Sequence, residues 1–235
     1  MSVFTSLSIL ILSMLIIVSM KLIPGVFAHF YHYTFGKYSA RKASNLSIFF
    51  IFGVEALPAL IFATLNLIFC ALSYTSLDLS NEIFLWAIAG LLIALGVAFF
   101  FFYFRRSSGT ELFISRRNAS NFIKKIKLVK NHSDAFVLGF VSGIPELLFT
   151  LPLYLVVIVS VTKNFLIIMP CSLILTLFIL ITISPLFFIY AYFRNGNNLA
   201  NFLRLRIKNK TFFRFFVPIL YFVLAILIII SRVVF

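Results

Sequence analysis

Apolar residues gather into six runs, at about 3–23, 46–74, 83–104, 135–161, 165–193 and 212–235, with polar and basic residues between them. As a helix, each run is long enough to cross a hydrocarbon core of about 30 Å. The pattern predicts an all-α polytopic membrane protein: one transmembrane domain over 1–235, with six transmembrane helices. The second, fourth and fifth runs exceed the length needed, so they tilt, kink or extend into the headgroups. No basic residue precedes the first run, and Lys21 follows it. These flanks are the reverse of a signal peptide's, which predicts a retained first helix. The one long connection is 105–132. There Phe122, Ile126 and Val129 share a helical face, with Lys124, Lys125, Lys127 and Lys130 around it. That reads as a short amphipathic helix lying on an anionic inner leaflet, with the lysines on lipid headgroups. An ordinary solvated basic linker is the alternative.

Composition strengthens the membrane reading. The chain is 63% hydrophobic and 11% charged, whereas a soluble domain is about half apolar and a quarter charged. Its formal net charge is +14, which in a soluble chain would suggest nucleic acid. Here the basic residues fall between apolar runs, so nucleic acid is not the expected partner. Lys21, Lys37, Arg41 and Lys42 lie in 21–45. Arg105, Arg106, Arg116, Arg117, Lys124, Lys125, Lys127 and Lys130 lie in 105–132. Arg194, Arg204, Arg206, Lys208, Lys210 and Arg214 lie in 194–214. The positive-inside rule puts these three alternate loops in the cytoplasm and both termini outside, in the inner (plasma) membrane of the cell. Four Asn-x-Ser/Thr sequons, at Asn45, Asn118, Asn131 and Asn209, then face the cytoplasm and are chance matches.

Two charged side chains fall deep inside predicted helices, Glu55 and Glu146. A charge at the bilayer centre costs at least about 3 kcal/mol, so such residues face the bundle interior and mark a pathway or relay. Each sits beside helix-breaking residues: Gly53 and Pro58 around Glu55, Gly143 and Pro145 before Glu146. Proline lacks a donor and frees a carbonyl near i−4. A freed carbonyl at membrane depth is tolerated only against protein or a wet cavity. A carboxylate there could bind a cation or relay a proton. The competing reading is a neutral, hydrogen-bonded glutamate that pins helix packing through Asn66 or a hydroxyl. Thr64 and Thr150 are lesser polar candidates. His29 and His32 share a helical face but lack carboxylate or thiolate partners, so no metal is expected. Cys70 and Cys171 lie near the same end of their helices, which leaves a redox pair open beside the commoner reading of buried thiols. No Walker A, G-x-S-x-G or H-E-x-x-H motif occurs, and neither an enzyme nor a cofactor is expected.

Two segments repeat. Tyr103, Phe104, Arg105, Phe113 and Arg117 meet Tyr192, Phe193, Arg194, Phe202 and Arg206 at a constant offset of 89. At nearly that offset, 52–58 (FGVEALP) faces 142–148 (SGIPELL). Six helices also divide into two sets of three with opposite orientation, the arrangement of inverted-repeat transporters.

The layout resembles the LysE superfamily of small six-helix exporters, nearest in orientation to its GAP-like branch. The similarity rests on 89–98 (AGLLIALGVA) followed by Arg105-Arg106, on 136–140 (FVLGF), and on 199–206 (LANFLRLR) before the last apolar run. The thiol-electron carriers of that superfamily have Pro-Cys in two helices, whereas this chain has one, Pro170-Cys171. The resemblance implies export of a small or lipidic substrate. The expected function is therefore a membrane transporter or exporter, proton- or cation-coupled through Glu55 and Glu146. Its pathway would be lined by Gly53, Pro58, Gly143, Pro145 and Asn66, and its partners would be membrane lipids and, in an oligomer, further copies of the chain. A non-transporting scaffold or complex subunit is the first alternative, and a thiol electron carrier through Cys70 and Cys171 the second.

Overall fold

A computed structural model describes residues 3–19, 24–73, 82–103, 122, 124–164, 171–196 and 198–233. Among them every regular element is helical: α1 (Val3–Ser19), α2 (Pro24–Lys37), α3 (Ala40–Ser73), α4 (Glu82–Ala98) continued by a π-helical turn (Phe99–Tyr103), α5 (His132–Asn164), α6 (Cys171–Arg194), α7 (Leu199–Lys208) and α8 (Lys210–Val233). The all-α expectation holds. Each of the six apolar runs contains one helix, but among the described residues only two stretches meet the length and apolarity of a membrane span, Ala40–Phe69 and Leu173–Arg194. Two bent pairs reach it if each is one span: Thr5–Ser19 with Pro24–Lys37, and His132–Leu147 with Phe149–Ser160. Trp86–Phe101 and Phe215–Ser231 are shorter apolar helices.

The segments expected to be polar loops hold helices of their own. Pro24 opens α2, a position where its missing donor costs nothing. Tyr38 N–H closes the end of α2 on Thr34 O at 2.9 Å, and α3 begins at Ala40 rather than 46. Ser39 stands before it, a residue type favoured at that position, and its carbonyl accepts Ala43 N–H at 2.9 Å. At the head of α5, the Asp134 carboxylate reaches back to the N–H groups of Lys130 and Asn131 at 3.0 and 3.1 Å, which satisfies donors that the first turn leaves open. At the end of α6 the chain turns through Gly196, whose φ of 82° suits a residue without a Cβ. Asn198 Oδ1 then accepts Ala200 N–H at 3.2 Å and starts α7.

Two apolar clusters form the interior. One gathers Ile16 and Ile17 of α1, Leu92 of α4, and Tyr221 and Leu224 of α8 around Phe62, Tyr154 and Phe178. The other gathers Phe27 and Phe30 of α2 around Phe50, Leu138 and Leu186. Helices α3, α5 and α6 run through both, and the α3–α5 contact is the most extensive among the described residues.

The segment 124–130 packs beside α2. Residues 124–128 are helical, and all four of its lysines are exposed. Leu128 is exposed, whereas other apolar residues of the segment pack on the protein. Ile126 and Val129 are buried in the α2 cluster, and Phe122 packs against it.

Candidate functional site

Three glycines set the α3–α5 crossing. A Cβ on Gly53 would overlap the carbonyl oxygen of Phe136, and a Cβ on Gly139 that of Phe50. A Cβ on Gly143 would lie 3.0 Å from the carbonyl oxygen of Val54. The two backbones therefore touch, and only residues without a side chain permit it. The contacts Phe50–Gly139 and Val54–Gly143 show that α3 and the part of α5 before Leu148 run parallel, and beyond it Phe62 still meets Tyr154 at 6.1 Å between ring centroids. Their register is about 89 residues, the offset of the internal repeat.

Proline explains one of these contacts. Pro58 has no N–H to give Val54, the residue four positions before it. That freed carbonyl is the one that Gly143 approaches. A Cα–H of Gly143 can serve it as a weak donor. The break in α3 is thus covered by protein, and α3 continues as one helix through Pro58.

Glu55 follows Val54, and Glu146 lies one turn beyond Gly143. Glu55 is 15 residues from the start of α3 and 18 from its end. Glu146 is 14 residues from the start of α5 and 18 from its end. The two glutamates lie within about one turn, roughly 5 Å, of the same level on adjacent parallel helices. Each is 3% exposed, so neither faces outward. Both are engaged by their surroundings. The earlier helix starts put about 22.5 Å of helix before Glu55 and about 21 Å before Glu146, at 1.5 Å per residue.

The glutamates occupy the gap between the two apolar clusters. On one side Phe62 stacks on Phe178 at 3.7 Å, and Tyr154 meets Phe178 edge-on at 5.1 Å. On the other side Phe50 stacks on Phe30 at 4.6 Å and leans on Phe27 at 5.7 Å. Buried hydroxyls share the gap: Ser142 donates to Gly139 O at 2.7 Å, and Thr182 of α6 donates to Phe178 O at 3.0 Å. Along the helices these polar residues fall between the residues of the two apolar clusters.

Helix α5 bends beside these residues. His132–Leu147 and Phe149–Ser160 make an angle of 78°. The break falls at Leu148, four residues before Pro152, where the proline ring and missing donor act. Pro145 lies within the first limb and marks no such break. Thr150 Oγ1 donates to Glu146 O at 3.1 Å, and Tyr221 Oη of α8 donates to Phe149 O at 3.1 Å, so carbonyls on both sides of the bend are held.

Of the residues singled out in sequence, Gly53, Pro58, Gly143, Pro145, Glu55 and Glu146 come together at this crossing. Asn66 does not. It is 3% exposed and on the same face of α3 as Glu55, but 11 residues, or about 16 Å, further along. The side chains of Cys70 and Cys171 lie outside the described residues. Lys124, Lys125, Lys127 and Lys130 are exposed at the α2 end, away from the glutamates. Among the described residues no group of three or more His, Cys, Asp or Glu side chains could hold a metal ion. Sequence reading passed over Gly139, Ser142 and Thr182. The signal for Gly139 was present, because Gly139-x-x-x-Gly143 is a small-x-x-x-small helix-contact pattern.

Comparison with family models, with curated proteins and with solved structures finds no match.

Proposed function

We propose that this chain is a six-helix membrane transporter of a small or lipidic substrate, with Glu55 and Glu146 as its coupling site. The reading rests on one observation above all: two buried glutamates stand level on adjacent helices, in a polar layer between two apolar clusters. An acidic side chain inside a membrane helix faces the protein interior and marks an ion or proton pathway. Two together, with nearby hydroxyls, offer oxygen atoms to one monovalent cation or a shared proton. The bend of α5 beside Glu146 supplies an element whose two limbs can move against each other as the site loads. The aromatic rings of those clusters suit the two gates of alternating access. The six-span topology with basic cytoplasmic loops, and the likeness to LysE-type exporters, belong to the same proposal.

A scaffold reading is favoured by the glycine crossing, since backbone contact of this kind also serves plain helix packing. Purified protein in liposomes separates the two. An imposed pH or sodium gradient should drive a flux that Glu55→Gln with Glu146→Gln abolishes while the protein stays folded. Equal ion-linked flux in wild type and double variant removes the coupling role. Absence of flux in the wild type across a panel of amino acids and lysolipids favours the scaffold.

A further inference from the structure

The α2–α3 junction and the segment 124–130, separate in sequence, form one basic surface. Tyr33 Oη donates to Lys127 O at 3.4 Å and Tyr38 Oη to Val129 O at 2.8 Å. These bonds strap the segment onto α2, with Ile126 and Val129 buried beneath it. Each tyrosine hydroxyl donates to a carbonyl and also accepts from Lys37, whose ammonium is held beside both rings. Lys37 Nζ lies 5.1 Å from the Tyr38 ring centroid and 5.5 Å from that of Tyr33. Lys42 Nζ lies 4.5 Å from the Tyr38 centroid. Two ammonium groups thus meet on one ring, held by cation–π attraction. Lys127 and Lys130, both exposed, flank the straps. The one described carboxylate nearby, Asp134, is occupied by the backbone N–H groups of Lys130 and Asn131.

We propose that Lys37, Lys42, Lys127 and Lys130 form a composite site for the phosphate of an anionic phospholipid headgroup. Cations gathered on a fixed scaffold recognise a phosphate better than the same charges on free chains, because less side-chain freedom is lost on binding. A lipid is the source chosen because this surface ends the long apolar helix α3 and is rimmed by tyrosines, as at a membrane interface. The sequence alone puts Lys124, Lys125, Lys127 and Lys130 on lipid headgroups. The site proposed here is local, saturable and built half from another segment. It rests on the membrane reading of the chain, but not on transport.

The test uses the full chain in phosphatidylcholine nanodiscs, with spin-labelled phosphatidylglycerol as the probe and spin-labelled phosphatidylcholine as the reference. Wild type should hold phosphatidylglycerol saturably and in preference to phosphatidylcholine. Lys37→Gln with Lys42→Gln should weaken that binding by about tenfold or more, from about 1 kcal/mol per interfacial lysine. Lys124→Gln with Lys125→Gln removes the same charge away from the straps, where salt screens it from the bound phosphate, and should change the binding by less than about threefold. Tyr38→Phe keeps every lysine and the ring but loses the strap, and should also weaken binding. Tyr33→Phe repeats that arm if Tyr38→Phe does not fold. Equal losses from the two lysine pairs, no preference over phosphatidylcholine, or displacement by glycerol 3-phosphate at equal concentration would overturn the proposal. Extraction of the chain from vesicles by alkaline carbonate would instead overturn the membrane reading beneath it.

Discussion

The carbonyl oxygen of Val54 lies 3.0 Å from the point where a Cβ on Gly143 would sit. One helix supplies the oxygen because Pro58 has no proton for it, and the other approaches it because Gly143 has no side chain. Around that contact the two glutamates come level.

The glycines should therefore differ in their tolerance of a methyl group. Gly53→Ala and Gly139→Ala drive a Cβ into a backbone oxygen that cannot swing away, and each should cost on the order of 3 kcal/mol or more. Gly143→Ala meets its oxygen at 3.0 Å and asks for a smaller shift, costing about 1 kcal/mol by the same comparison. Gly90 of α4 has nothing within 4 Å of its Cβ position, so Gly90→Ala should be neutral or stabilise by up to about 1 kcal/mol through helix propensity. Unfolding in mixed micelles gives the order directly. A Gly139→Ala protein as stable as Gly90→Ala would contradict the crossing.

Much of this site was legible in the chain. The apolar runs located six of the helices, and the rarity of intramembrane acids picked out Glu55 and Glu146. The prolines announced a freed carbonyl. What hydropathy could not show is where helices begin in basic or aromatic sequence. Residues 24–37 and 40–45 fold as helix because Phe27, Phe30 and Leu46 bury against a neighbour, which no windowed average of α2 reveals. Nor could local sequence tell which proline bends α5, because the outcome depends on which limb is held. Pro145 lies in the limb whose glycines press against α3, whereas Pro152 lies in the limb that carries Tyr154 against Phe62 and Phe178. The offset of 89 was visible as a repeat, but its meaning as the register of two parallel helices needed the contacts.

Tyr221 carries a second prediction. It is fully buried, and its hydroxyl is bonded to Phe149 O. Tyr221→Phe keeps the ring stack on Phe99 at 5.6 Å but leaves that carbonyl with one partner fewer. The loss should be about 1 kcal/mol, the net worth of a typical hydrogen bond. Thermal unfolding in detergent reads it, and an unchanged midpoint would mean that the bond contributes nothing to holding the bend.

Pro152→Ala restores an N–H opposite Leu148 O and should straighten α5. Spin labels at the exposed positions Val137 and Leu151, in a background with Cys70 and Cys171 changed to Ser, are 14 residues apart. A straight helix puts their Cα atoms about 21 Å apart at 1.5 Å per residue, and a 78° bend brings them closer. The interspin distance should therefore lengthen in Pro152→Ala. If the two proteins give one distance, the bend has another cause than the proline.

The last prediction concerns the glutamates as a pair. Neighbours in one polar layer couple energetically, whereas residues more than about 10 Å apart with no shared partner act independently. Glu55→Gln and Glu146→Gln should each weaken ion-linked flux in liposomes, and the double variant should lose less than the two single losses combined. Once one carboxylate is gone, the other no longer shares its proton or cation. Asn66 provides the control. It lies on the same face of α3 about three turns away, so Asn66→Ala combined with Glu55→Gln should be additive to within about 0.5 kcal/mol. Coupling between Glu55 and Asn66 as large as that between Glu55 and Glu146 would show that the polar layer is not the unit of action, and that the whole face of α3 is.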